Sequence, residues 1–246
     1  MAELRKILNV RSLGWETTGF GGPMFRQTYL GVVLFSLIAL NATMAAFAVA
    51  RYPAFFEQHS ALVYVLEPIG ILLLYTVLTV YLVRVRGGAW NTILINATVF
   101  GVITGALESI NIGLENVAPG AARSPAISIG FMAIVFSLWG IGGARTVRSG
   151  NSIRAGIATA ILSAGICMLI AVATGFFIEF FVAPPDPATV STWAEYRRSG
   201  WTDAHAFGLA NTLDSAFTHL VIAPIVAMVF GSIGSLLAGS VKPTAR

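Results

Sequence analysis

Six long apolar stretches alternate with short segments that hold most of the charge. Tyr29 to Ala50 lies between Arg26 and Arg51 without a charged residue. Glu67 is the only charge between Glu57 and Arg84, and Glu108 and Glu115 are the only ones between Arg86 and Arg123. Ser124 to Ala144 has none, Ala155 to Pro185 has Glu179 alone, and Ala204 to Val241 has Asp214 alone. A helix needs about 20 apolar residues to cross about 30 Å of hydrocarbon. Each stretch therefore predicts one span: 29–50, 61–83, 91–115, 127–144, 155–182 and 206–238. The last is longer than a bilayer requires, so it calls for tilt, an overhang or a bend at Pro224. The predicted fold is all-α: a polytopic membrane helix bundle of six transmembrane helices, forming a single domain over 1–246.

Composition agrees. The 246 residues are 56% hydrophobic and 11% charged, with a mean hydropathy of +0.79. A soluble domain is about 25% charged, so a water-dissolved fold and a disordered chain are both excluded. The single cysteine, Cys167, excludes a disulfide scaffold and reads as a small core residue.

The basic residues give the orientation. With the N-terminus inside, eleven of the fifteen Lys and Arg fall on cytoplasmic segments. Arg51, Arg123, Arg197 and Arg198 fall outside. Both termini are then cytoplasmic, and the plasma (inner) membrane is the expected location. The net charge of +4 records this bias and contact with anionic lipid. No nucleic-acid module accompanies it. Ala48-Val49-Ala50 resembles a signal-cleavage site, but the apolar run before it exceeds the roughly 7–15 residues of a signal peptide, so the first span is expected to be retained.

Outside the bilayer, Leu4, Ile7 and Leu8 at helical spacing predict a helix on the inner surface, with a frayed terminus as the alternative. Asp186-Pro187 is a helix start and Gly200 a helix stop. Residues 183–204 therefore read as an outer loop with one short surface helix, either a lid or a cap on the helix ends. Trp193 and Trp201 read as interface anchors.

The candidate chemistry lies in acids inside the spans, because an ionised carboxylate at mid-bilayer costs at least about 2.5–3.5 kcal/mol. Glu67, Glu108, Glu115, Glu179 and Asp214 all fall in the outer half, as do His59, His205 and His219. No Lys or Arg lies within a span to pair with them. Such carboxyls must be protonated, face water, or hold a cation or metal ion. Ala97, Gly101, Thr104, Glu108, Asn111 and Glu115 form one stripe along span three, small at one end and polar at the other, with Gly101 and Gly105 as a GxxxG pair. The stripe is expected to face protein. In span six, Asn211, Asp214, Ser215, Thr218 and His219 cover an arc of about 140°, expected to face protein or a cavity. Asn41 reads as a packing residue.

Three classes of function remain. The first is transport or binding of a proton, metal ion or small cationic solute through an outward-facing acidic cavity built on Glu108 and Asp214, with Glu67, Asn111, Asn211 and His219. The second is a non-catalytic accessory or assembly subunit, in a homo-oligomer or a larger membrane complex. The third is a membrane-embedded metal enzyme with ligands drawn from His59, His205, His219, Glu67, Glu108 and Asp214. The sequence names no cofactor and no metal. Orientation has a direct check: cysteines at Ser191 or Ser199 should react with an impermeant reagent in intact cells, and labelling only after permeabilisation would reverse the topology.

Overall fold

The structure, a computed structural model, describes residues 23–84, 88–117 and 125–240. The predicted surface helix near the N-terminus lies outside these residues. All six expected spans are helices: α1 (Pro23–Arg51), α2 (Ala61–Arg84), α3 (Gly88–Val117), α4 (Pro125–Arg148), α5 (Ile153–Phe177) and α8 (Ala204–Ser240). Two short helices, α6 (Pro187–Val190) and α7 (Ala194–Ser199), precede α8. No strand occurs among the described residues. All six long helices are apolar enough to cross a membrane, which is the architecture of a multi-pass membrane protein.

Helix α5 is the axis of the bundle: 67% of its most apolar window is buried, against 17% for α2. Its sequence explains this. Ala160, Ser163, Ala164, Gly165 and Cys167 present almost no side-chain bulk and are all buried, so neighbouring backbones come close. The GxxxG pair of α3 packs here as expected. A Cβ on Gly101 would lie 2.7 Å from Cβ of Ile166, and one on Gly105 2.9 Å from Cδ1 of Ile170. Where α4 meets α8 the approach is closer still, since a Cβ on Gly234 would fall 2.1 Å from the carbonyl oxygen of Gly140.

Polar side chains fasten the helices where solvent cannot. Asn41 donates from Nδ2 to the carbonyl of Leu169 at 2.9 Å, pinning α1 to α5 and fitting its packing role. Asn96 donates to Thr146 at 2.9 Å, and the Thr146 hydroxyl meets that of Thr159 at 2.9 Å, so one polar thread joins α3, α4 and α5. Pro224 lies within α8. A proline has no N–H to give the carbonyl four residues back, which is that of Leu220. The Tyr75 hydroxyl of α2 donates to that oxygen at 2.8 Å, replacing the lost helical bond. Helix α8 continues through Pro224 without interruption.

The end of the bundle holding residues 52–60 and 183–203 is closed by a cap. Asp186 accepts from the N–H groups of Ala188 and Thr189, both at 3.2 Å; these bonds and the Thr189 hydroxyl hold its carboxyl below the usual carboxylate range. Gly200 stops α7 at a φ of +76°. Two features differ from the sequence reading. The segment forms two helices, because residues 191–193 turn between them. Trp201 is buried, edge-on against Phe55, Tyr64 and Phe207, and so is a core residue of the cap. Chain ends and loops must bury their own aromatics somewhere, and at Trp201 packing prevails over the interface. Val190 is buried too, so this segment packs on the helix ends as a cap.

Gly234→Ala should therefore destabilise the bundle by about 1–3 kcal/mol through overpacking. Gly113→Ala, whose Cβ would meet nothing within 4 Å, should be neutral or stabilising by up to about 1 kcal/mol. Unfolding in mixed micelles measures both.

Candidate functional site: carboxyl groups near the cap

Four helices deliver five acids to the third of the bundle beside the cap: Glu67 from α2, Glu108 and Glu115 from α3, Glu179 from the π turn Ile178–Val182 that ends α5, and Asp214 from α8. Counting along the helices at 1.5 Å per residue puts Glu67 about 9 Å from the start of α2. Among the described residues the only ion pair is Arg198 with Glu195, 3.7 Å apart on the exposed face of α7. The carboxyls of the bundle thus have no cationic partner there.

The acids form separate groups. Glu67 lies beside Asp214 and Thr218. Asp214 and Thr218 are four residues apart, on the side of α8 that faces α2. Glu108 contacts Asn111 one turn along its own helix, with Glu115 and His219 within electrostatic range. Asn111 is buried and its Oδ1 has no partner among the described residues. Glu115 accepts from the Ser128 hydroxyl of α4 at 2.6 Å. Glu179 accepts from the Thr212 hydroxyl of α8. His219 lies 2.6 Å through Nδ1 from the Ser215 carbonyl. A carbonyl only accepts, so Nδ1 is the donor of this bond.

The expected partnership of Glu108 with Asp214 is thus replaced: Asp214 lies beside Glu67, and Glu108 beside Asn111 of its own helix. Along span three the structure follows the stripe. Ala97, Gly101, Thr104 and Asn111 are buried, Glu108 is half-buried and Glu115 is exposed. Span six needs correction. Asn211, Asp214, Ser215 and His219 are exposed on the outside of the chain, whereas the arc was expected to face protein or a cavity. Helix α8 instead turns inward the face of Ala210, Leu213, Phe217, Ala223, Ala227 and Gly231. Small residues allow closer packing, and that gain outweighs burying the polar arc.

Chemically, two neighbouring carboxyl groups can hold a shared proton or a cation between them, because two bare carboxylates repel in a low dielectric. A metal site is less well served. His59 is exposed and His205 packs against Tyr52 with the rings tilted by 48° and their centroids 4.2 Å apart, both at the cap end. No group of three His, Cys, Asp or Glu that could hold a metal ion occurs among the described residues. The ligand set drawn from the sequence therefore does not assemble within one chain.

Sequence reasoning missed three partners: Thr212 for Glu179, Ser128 for Glu115, and Tyr75 for the Leu220 carbonyl. Only the last had a signal, since Pro224 within a span announces an orphaned carbonyl that some hydroxyl must satisfy. Searches of protein-family models, curated proteins and solved structures give no match to this chain.

Removing the donor to Glu179 should cost stability. Thr212→Val should lower the free energy of unfolding by about 0.6–1.7 kcal/mol, and Thr212→Ser should restore most of it. Equal stability of Thr212→Val and wild type in mixed micelles would show that the bond contributes nothing.

Proposed function

We propose that this multi-pass membrane protein binds a proton or small cation at the carboxyl pair Glu67–Asp214, as a step in moving that ion into or across the bilayer. The observation that supports it most is the proximity of those two carboxyls, beside Thr218, with no salt bridge to either among the described residues. Holding a charge at bilayer depth costs at least about 2.5–3.5 kcal/mol, and a protein-facing hydrogen bond returns only about 0.6–1.7 kcal/mol. A pair of carboxyls is thus a poor fastener and a good ion site.

A second reading, an accessory subunit of a membrane complex, is favoured by the exposed arc of Asn211, Asp214, Ser215 and His219. Such an arc is unstable against acyl chains, so either water or a partner chain covers it. Orientation decides the direction of access: with cytoplasmic termini, the carboxyl pair opens outward.

Amide substitutions separate the two readings, because an amide keeps size and hydrogen bonding while removing the titratable charge. In proteoliposomes, Glu67→Gln and Asp214→Asn should stay folded, as judged by wild-type melting, and lose proton- or cation-driven flux at least tenfold, about 1.4 kcal/mol. Wild-type flux in both variants would overturn the ion site. Loss of a co-purifying polypeptide from His219→Leu, with flux absent throughout, would establish the subunit reading.

A further inference from the structure

A second feature lies away from the acids, toward the opposite end of the bundle. Helices α1, α2, α3, α5 and α8 leave a cavity of about 220 Å³ between them. We propose that this cavity is a binding site for one acyl chain of a membrane lipid.

The lining selects hydrocarbon. Tyr75 and Thr79 are its only polar side chains, and both hydroxyls are committed. Tyr75 donates to the Leu220 carbonyl at 2.8 Å and Thr79 to the Tyr75 carbonyl at 2.8 Å. A buried water needs two to four polar partners, and here only the acceptor lone pairs of these two hydroxyls remain, with no donor among the lining side chains. A polar ligand meets the same lack. An apolar cavity of about 150 Å³ excludes water yet takes up benzene, so a larger one beside liquid hydrocarbon fills from the bilayer.

The mouth opens toward that bilayer. Leu74, Leu78, Val221 and Ile225 line the cavity and are also among the exposed apolar side chains of α2 and α8. A chain in the adjacent leaflet thus enters sideways between these two helices. The floor is made by Leu162 and Gly165 of α5, on the helix most sheltered from lipid.

The cavity is held open. The Tyr75 ring lies over Gly165, where a Cβ would meet Cε1 at 3.3 Å, and its hydroxyl is fixed to the carbonyl that Pro224 leaves free. This strut keeps α2 from closing onto α5. The occupant then replaces side-chain contacts that α2 itself does not make, which agrees with how little of α2 is buried.

The test uses full-length protein in phosphatidylglycerol–phosphatidylethanolamine vesicles carrying a trace of phospholipid with a diazirine midway along one acyl chain. After irradiation, mass spectrometry should find label on the α5 peptide containing Leu162 and Gly165, as well as on the lipid-facing side of α8. Leu78→Trp narrows the mouth and should lower the α5 label several-fold, with label at Ile233 unchanged. Leu78→Ala widens the mouth and should raise it. Glu67→Gln should label as wild type, since this site is independent of the carboxyl pair. An unlabelled α5 in wild type overturns the proposal, as does an α5 label indifferent to both Leu78 variants.

Discussion

Hydrocarbon offers no partner to a carbonyl, an amide or a carboxyl, so each such group in a span must find one within the protein. The helix meets this demand for most of the backbone, and at each proline inside a span, Pro68 of α2 and Pro224 of α8, the helix alone falls short by one donor; the Pro224 case is filled from outside the helix. Tyr75 supplies it from another helix. Asn41, Asn96, Thr146 and Thr159 follow the same rule across α1, α3, α4 and α5. All of these bonds depend on close helix approach, which the small side chains of α5 and the glycines at 140 and 234 allow. The bundle is held by proximity first, and its polar joints become available because of it.

The spans were legible because the demand is length-dependent: about 20 apolar residues either cross or they do not. The stripe on α3 was legible too, since Gly101 and Gly105 mark a face that only protein contact explains. The azimuth of α8 was not. Its polar arc suggested an inward face, yet the opposite side carries Ala210, Ala223, Ala227 and Gly231, and the closest packing falls there. In a membrane both sides of a helix can be apolar, so the small-residue stripe is the stronger indicator of burial. Side-chain partners between helices, such as Thr212 for Glu179, leave no trace in sequence spacing because they depend on the relative rotation of two helices. The aromatic cluster around Trp201 was missed for a related reason, as a tryptophan near a span end suits both a headgroup layer and a cap.

Helix α2 is the most loosely held span, and it carries one member of each pairing with α8. Near the cap, Glu67 meets Asp214; at mid-depth, Tyr75 meets Leu220; below that lies the cavity. The α2–α8 seam is therefore polar, then hydrogen-bonded, then open to lipid along its length. A seam of this kind has little apolar contact to lose when it shifts, unlike the α3–α5 seam, where Gly101 and Gly105 are filled by Ile166 and Ile170.

The shallow position of Glu67, about 9 Å from the start of its helix, has an electrical consequence. A membrane potential does about 2.3 kcal/mol of work per 100 mV on a unit charge carried across the whole membrane. A charge that stops at Glu67 traverses roughly a third of about 30 Å of hydrocarbon, so the work is about 0.8 kcal/mol per 100 mV. An ion bound at the carboxyl pair, as proposed, would follow ion concentration on the cap side far more than voltage. The larger share of the potential drop falls across the opposite two-thirds of the bundle, where Asn96, Thr146 and Thr159 carry no charge for it to act on.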